Sequence, residues 1–409
     1  MSTAVRPRSP RLAATLREKE SVTPLELFFD LVFVLALTQC TALMAEEPTW
    51  EGLAKGLLIL TVLWWSWGGY AWLTSLVDPE EGIVRIAMFG AMAAFLVCAL
   101  CVPDAFDDSA LIFAIAYAGV RGAHLVLFAI GSRDDPNLRA SVIALTISSA
   151  IGVALLVGAA FADGALQGAL WGVAILLDYG GPYFFGVDGW HMVPSHFAER
   201  FGLIVIIALG ESIVAIGVGV DTAEVDAGIV VAAVLGTIVA AALWWLYFDV
   251  VAIVAERRLS QAAPGRERNS IGRDSYGYLH LPMVAGIVLL ALGLKKTLGH
   301  VEEPLKVVPA FALLGGTAMY LLAHVAFRLR NVHRFSIQRL LCAVVLVALI
   351  PAALELPALA TLAILAALLV ALIVYETIRF AELRDRLRHQ VAEGHAPGAA
   401  PAVAEAPPG

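Results

Sequence analysis

Apolar runs of about 20 residues follow one another along almost the whole chain, separated by short breaks rich in charge, Pro or Gly. At 1.5 Å of rise per residue, a helix of that length crosses the ~30 Å hydrocarbon core of a bilayer. The pattern predicts twelve spans, near 25–45, 53–76, 83–102, 110–130, 139–161, 166–186, 197–220, 227–254, 276–298, 307–328, 335–355 and 357–380. Composition agrees: 60% of the 409 residues are hydrophobic and 15% charged, against ~45–50% and ~25% in soluble globular chains. The fold class is therefore an all-α membrane protein, with the lipid bilayer as its main partner. No nucleic-acid partner is expected of so apolar a chain with a net charge of −8.

The breaks orient the spans. With the N-terminus in the cytoplasm, the inner segments hold Arg6, Arg8, Arg11, Arg17, Lys19, Arg85, Arg133, Arg139, Arg200 and the basic clusters in 257–273, 328–339 and 379–388. The outer segments keep only Lys55, Lys295, Lys296 and Lys306. This asymmetry follows the positive-inside rule and places both termini in the cytoplasm. Residues 1–20 read as a basic tail too polar for a secretory signal. Residues 389–409 are Ala/Pro-rich and expected to be disordered. Residues 256–275 read as a basic cytoplasmic loop that sets topology.

The two halves resemble each other. "FFDLVFVLALTQ" (28–39) lies over "RFGLIVIIALGE" (200–211), "LWWSW" (63–67) over "LWWLY" (243–247), and "AHLVLF" (123–128) over "AHVAFR" (323–328). Two parallel six-helix repeats follow, at 21–190 and 191–388, with Gln39 over Glu211 and His124 over His324.

Ionisable groups inside spans are costly and mark candidate sites. Thr23-Pro24-Leu25-Glu26 reads as a capping box with Pro at N1, a structural role for Glu26. Asp30 lies about 9 Å into the first span and requires a donor, for which Arg200 is the natural candidate. On the seventh span His196, Arg200 and Glu211 share one side. Arg200 and Glu211 stand about 16 Å apart along the axis, too far to pair. Gly210 and Ser212 flank Glu211 and permit close helix approach. Secondary candidates are Arg121 and His124, on one face of the fourth span, and Asp249, His280, His324 and Glu376. "DYGGPYFFG" (178–186), with Asp178, reads equally as a hinge or a loop entry. Cys98 and Cys101 lack a second pair at metal spacing and read as buried apolar groups. Trp64, Trp65 and Trp67 read as packing or interfacial belts. Phosphate-loop, zinc-protease and nucleophile-elbow motifs do not occur. No cofactor, metal site or catalytic residue is expected.

Two stretches carry a resemblance. "PLELFFDLVFVLALTQ" and "HFAERFGLIVIIALGESI", with "DYGGP" between them, resemble the bacterial low-temperature-requirement A (LtrA) family over roughly residues 20–385. That resemblance implies a polytopic bacterial membrane protein linked to growth in the cold, and it carries no catalytic residue to this chain. "FFDLVFVLALT" (28–38) is more faintly similar to the first helix of the lysosomal potassium channel family. Phe28 and Asp30 match its Phe and Asp, Phe29 replaces its Ser, and the second half has Arg200 and Gly202 instead.

The expected function is movement of a small ion or solute along the first and seventh spans, with Asp30, Arg200, Glu211 and Gln39 as polar core and His196 and Glu199 beside it. One alternative is a membrane enzyme acting on a lipid or isoprenoid carrier through His196, Glu199 and Asp178. Another is a membrane sensor or assembly factor.

Overall fold

The computed structural model describes residues 21–382 and 384, apart from 81, 185, 188 and 221–224. The tails expected at 1–20 and 389–409 lie outside the described residues. Regular structure among the described residues is helical, with one isolated bridge between Pro304 and Pro357. The first half comprises α1 (Pro24–Glu46), α2 (Trp50–Leu76), α3 (Gly82–Cys101), α4 (Ala110–Gly131), α5 (Pro136–Ala159) and α6 (Gly164–Phe184). The second comprises α7 (Pro194–Gly219), α8 (Ala227–Phe248), α9 (Val251–Gln261), α10 (Arg266–Ile271), α11 (His280–Gly299), α12 (Val307–Ala310), α13 (Gly316–Val332), α14 (Ile337–Ala348), α15 (Ile350–Ala353) and α16 (Ala358–Arg379). Wider π-helical turns at Gly272–Tyr278 and Phe311–Gly315 join α10 to α11 and α12 to α13.

Ten helical rods among the described residues are long and apolar enough to cross a membrane. The other two expected spans are helical but differ. α6 has 21 residues and runs through the 178–184 stretch, carrying Asp178 and Pro182 within the helix. α14 has only 12 residues. It stops before Pro351, which has no N–H to continue the ladder, and α15 restarts there. The stretch expected as a loop at 256–275 is also mostly helical. Glu267 ties its turn together, accepting from Arg258 at 2.7 Å and from the Ala263 N–H at 3.1 Å. Buried Asn269 fastens α10 to the carbonyls of Val187 and Trp190.

Large apolar side chains such as Leu31, Ile86, Ile115, Leu176 and Ile378 point outward. Such a surface suits hydrocarbon as solvent. Inside, α1 packs on α2 and α3, α3 on α4, α4 on α5, and α6 on both α2 and α5. In the second half α7 packs on α8 and α11, α11 on α13, α13 on α14, and α16 on both α8 and α14. The halves meet where α1 touches α7 and α11, and where α2 touches α7.

A tight crossing joins α11 to the rod containing α13. A Cβ added at Gly286 would stand 2.6 Å from the Gly316 carbonyl oxygen, and one at Gly293 2.6 Å from the Leu313 Cα. Where lipid is as apolar as the side chains, such backbone proximity provides the packing that holds helices together.

Candidate functional site

The site begins at the cap of α1. Glu26 Oε2 accepts from the Thr23 N–H at 2.8 Å and the Thr23 hydroxyl at 3.0 Å, closing the capping box. Its other oxygen faces α7, meeting His196 Nε2 at 2.8 Å and Arg200 Nη1 at 3.1 Å. One carboxylate thus caps a helix and joins the two halves. His196 and Arg200, one turn apart near the start of α7, present both groups on the same face.

One turn along α1, Asp30 Oδ1 accepts from Arg200 Nη2 and from Trp67 Nε1, each at 2.8 Å. The Arg200 guanidinium also lies 5.6 Å from the centre of the Trp67 ring. Glu26, Asp30, His196 and Arg200 all have 0% exposure. Removing such ions from water costs several kcal/mol each, so the cluster persists only because its charges face one another. Its charge sums to −1 with neutral His196 and to 0 with His196 protonated, taking both carboxylates as ionised. A single proton therefore changes the net charge at this seam.

Aromatic rings seal the cluster. Phe201 stands edge-on to Trp67, with centroids 5.0 Å apart, and Tyr276 stacks on His280 at 5.2 Å. His280 Nδ1 lies 2.9 Å from the Ser275 carbonyl, which fixes that nitrogen as a donor and leaves Nε2 to accept from Tyr247 at 2.8 Å. His280 thus closes the π-helical turn before α11.

Glu211 forms a second station on the α1–α7 seam, about 16 Å along α7 from Arg200. It is buried, and its Oε2 accepts from the Thr38 hydroxyl at 2.5 Å. Thr38 supplies this contact, and Gln39 is half-buried one position further round α1. Glu199 is exposed and accepts from the Val22 N–H at 3.0 Å, outside the core.

Most of the remaining candidates belong to arginine–carboxylate contacts within their own half. Arg121 on α4 faces Asp178 on α6 at 3.6 Å and also donates to Ser149 on α5. Tyr117 donates to the same carboxylate at 3.4 Å. In the second half Arg339 on α14 holds Glu376 on α16 through bonds of 2.9 and 2.8 Å, with Nη1 2.9 Å from His324. His124 and His324 thus lie next to, or against, the arginine of their half. Asp249, at the end of α8, accepts from Arg384 at 2.6 Å. His196, Glu199 and Asp178 are not brought together: each meets the separate partners given above.

Trp67, Thr38, Ser149 and Arg339 complete these contacts, and the pattern of the sequence does not mark them as site residues. Trp67 lay in a run that reads as packing. Arg339 counted only as a topology-setting charge, because the positive-inside pattern is the same whether an arginine faces water or a neighbouring helix.

Residues 21–374 match the family model described as bacterial low temperature requirement A protein (LtrA). The chain is 30% identical over 312 residues to the "Uncharacterized protein RA0937" of Rhizobium meliloti (strain 1021), covering 72% of this chain and 74% of the relative. No solved structure matches the chain.

Proposed function

We propose, from the premise that the chain belongs to the bacterial LtrA family, that this polytopic helical membrane protein moves a small ion or solute along the α1–α7 seam. The observation that carries the proposal is the fully buried group of Glu26, Asp30, His196 and Arg200 between the two halves. A hydrophobic contact would hold two helices together at less cost than four desolvated ionisable groups. Intramembrane charges that face the protein interior mark ion and proton pathways more often than they mark scaffolding.

In this reading the seam has two polar stations, the Asp30–Arg200 cluster and Glu211 with Thr38. Proton exchange at the first changes its charge and so the strength with which Arg200 holds α1 to α7. The inner membrane is the site of action, with twelve helices in two parallel repeats and both termini cytoplasmic. The excess of Arg and Lys on one side supports this orientation. The repeat is supported by the corresponding helix pairings of the two halves, with α7, α8, α11, α13, α14 and α16 taking the places of α1 to α6.

The test is flux of K⁺, Na⁺ and H⁺ into proteoliposomes of purified protein. Flux of one ion above that of empty vesicles is the expected result. Absence of flux for all three in well-incorporated protein overturns the reading for these cations.

A further inference from the structure

A second polar feature lies apart from the α1–α7 contact. A cavity of about 70 Å³ opens between α2, α4, α6 and the π-helical turn before α11. On the same measure one water needs roughly 10–15 Å³, so the space admits a polyatomic ion. Its walls include Trp64, Trp65, Trp72 and Trp190, with Arg121 and His124 on one side and Arg273 among the lining groups. Among the described residues, Asp and Glu side chains do not line it.

Four buried polar atoms of these lining residues have no hydrogen-bond partner among the described residues: Trp65 Nε1, Arg121 Nε, and both ring nitrogens of His124. Folded proteins satisfy roughly nine in ten or more of their buried polar groups. Concentration of four exceptions around one space is therefore informative. Trp65 and Arg121 can only donate, and His124 donates from at least one nitrogen. His124 is 1% exposed and Arg121 2% exposed, so neither is turned to bulk water. The carboxylates that balance the arginines stand outside the lining: Asp178 faces Arg121 at 3.6 Å and Asp274 accepts from Arg273 at 2.7 Å.

Gly69 keeps the space open. A Cβ there would stand 2.8 Å from His124 Nε2 and 3.4 Å from Arg121 Nη1.

From these observations we infer that the cavity bounded by Trp65, Gly69, Arg121 and His124 is a binding site for a small monovalent anion, of halide to nitrate or formate size. Trp65, Arg121 and His124 bring donors to its lining, no Asp or Glu side chain lines it among the described residues, and its aromatic walls exclude large hydrated ions. Arg121 and Trp65 hold the anion by N–H donation, and His124 adds a third contact. The site does not depend on the α1–α7 seam being a transport path.

The experiment uses purified full-length protein in detergent at constant ionic strength, with gluconate as the balancing anion too large for the cavity. Nitrate is titrated while tryptophan fluorescence is followed, with chloride as competitor. The wild type should show a saturable quenching component that chloride displaces. Trp65→Phe, which deletes one donor, should weaken binding by about tenfold, the usual effect of losing a hydrogen bond to a charged group, and Gly69→Ala, which fills the space beside His124, should weaken it as well. Circular dichroism identifies a variant that has failed to fold; if Gly69→Ala does so, Trp65→Phe carries the comparison. Quenching in the wild type that rises linearly without saturation, as for a cavity filled by water alone, overturns the assignment. So does undiminished affinity in the folded variants.

Discussion

Arg200 on α7 donates to Asp30 on α1 at 2.8 Å, and the same guanidinium reaches Glu26 at 3.1 Å. One arginine therefore binds two carboxylates of the other half in a region without solvent exposure. Removing one partner of such a buried pair usually costs ~3–5 kcal/mol, because the other charge is left uncompensated. Arg200→Met should lower stability by about that amount, measured by thermal unfolding in detergent. Combining it with Asp30→Asn should recover part of the loss, since one stranded carboxylate is then neutral. A melting temperature for Arg200→Met equal to that of the wild type would show that the pair contributes nothing to the fold.

Much of this seam is legible in the sequence. The Thr23-Pro24-Leu25-Glu26 signature gives the start of α1, and the depth of Asp30 calls for a cation that α7 supplies. The double duty of Glu26 is not legible, because its two oxygens serve separate partners and the cap alone explains the residue. Thr38 is hidden for another reason: aligning Gln39 with Glu211 compares two stretches of sequence, whereas the contact requires a side chain one residue earlier on α1. The Trp65 and His124 cavity depends on atoms left without partners, which no periodicity records. Helix breaks within α14–α15 and the two π-helical turns also shift span boundaries in ways an apolar run does not reveal.

The crossing of α11 over the α13 rod rests on glycine. Gly286→Ala would force a methyl group to 2.6 Å from the Gly316 carbonyl oxygen. Overpacking of this kind costs ~1–3 kcal/mol. Gly90→Ala on α3 meets no heavy atom within 4 Å, so it should be neutral or stabilise by up to about 1 kcal/mol through helix propensity. Thermal unfolding of the two variants side by side measures the contrast.

Outside the spans, Asp135 caps α5. Its Oδ1 accepts from the N–H groups of Asn137 at 2.9 Å and Leu138 at 3.1 Å, and Oδ2 meets His191 at 2.9 Å. The Leu138 N–H first, and then His191, hold this carboxyl below its ordinary range. A depressed folded value means the contribution is full above the unfolded carboxylate pKa of ~3.9 and is lost as pH falls through the folded value. Asp135→Ala should cost ~0.5–2 kcal/mol near neutral pH, the usual loss for an N-cap. The gap between variant and wild type should close below about pH 4. Unfolding curves from pH 7 downward measure it, and a gap that stays constant into acid would assign the loss to something other than the ionised cap.

Ion flux in proteoliposomes for wild type, Asp30→Asn and Glu211→Gln at matched incorporation tests the α1–α7 seam most directly. Both substitutions keep the shape of the side chain and remove its charge. The account predicts wild-type flux of one of K⁺, Na⁺ or H⁺ that falls at least about tenfold in either folded variant, the equivalent of ~1.4 kcal/mol at a rate-limiting station. Wild-type flux that both variants leave intact would place the path elsewhere and contradict it.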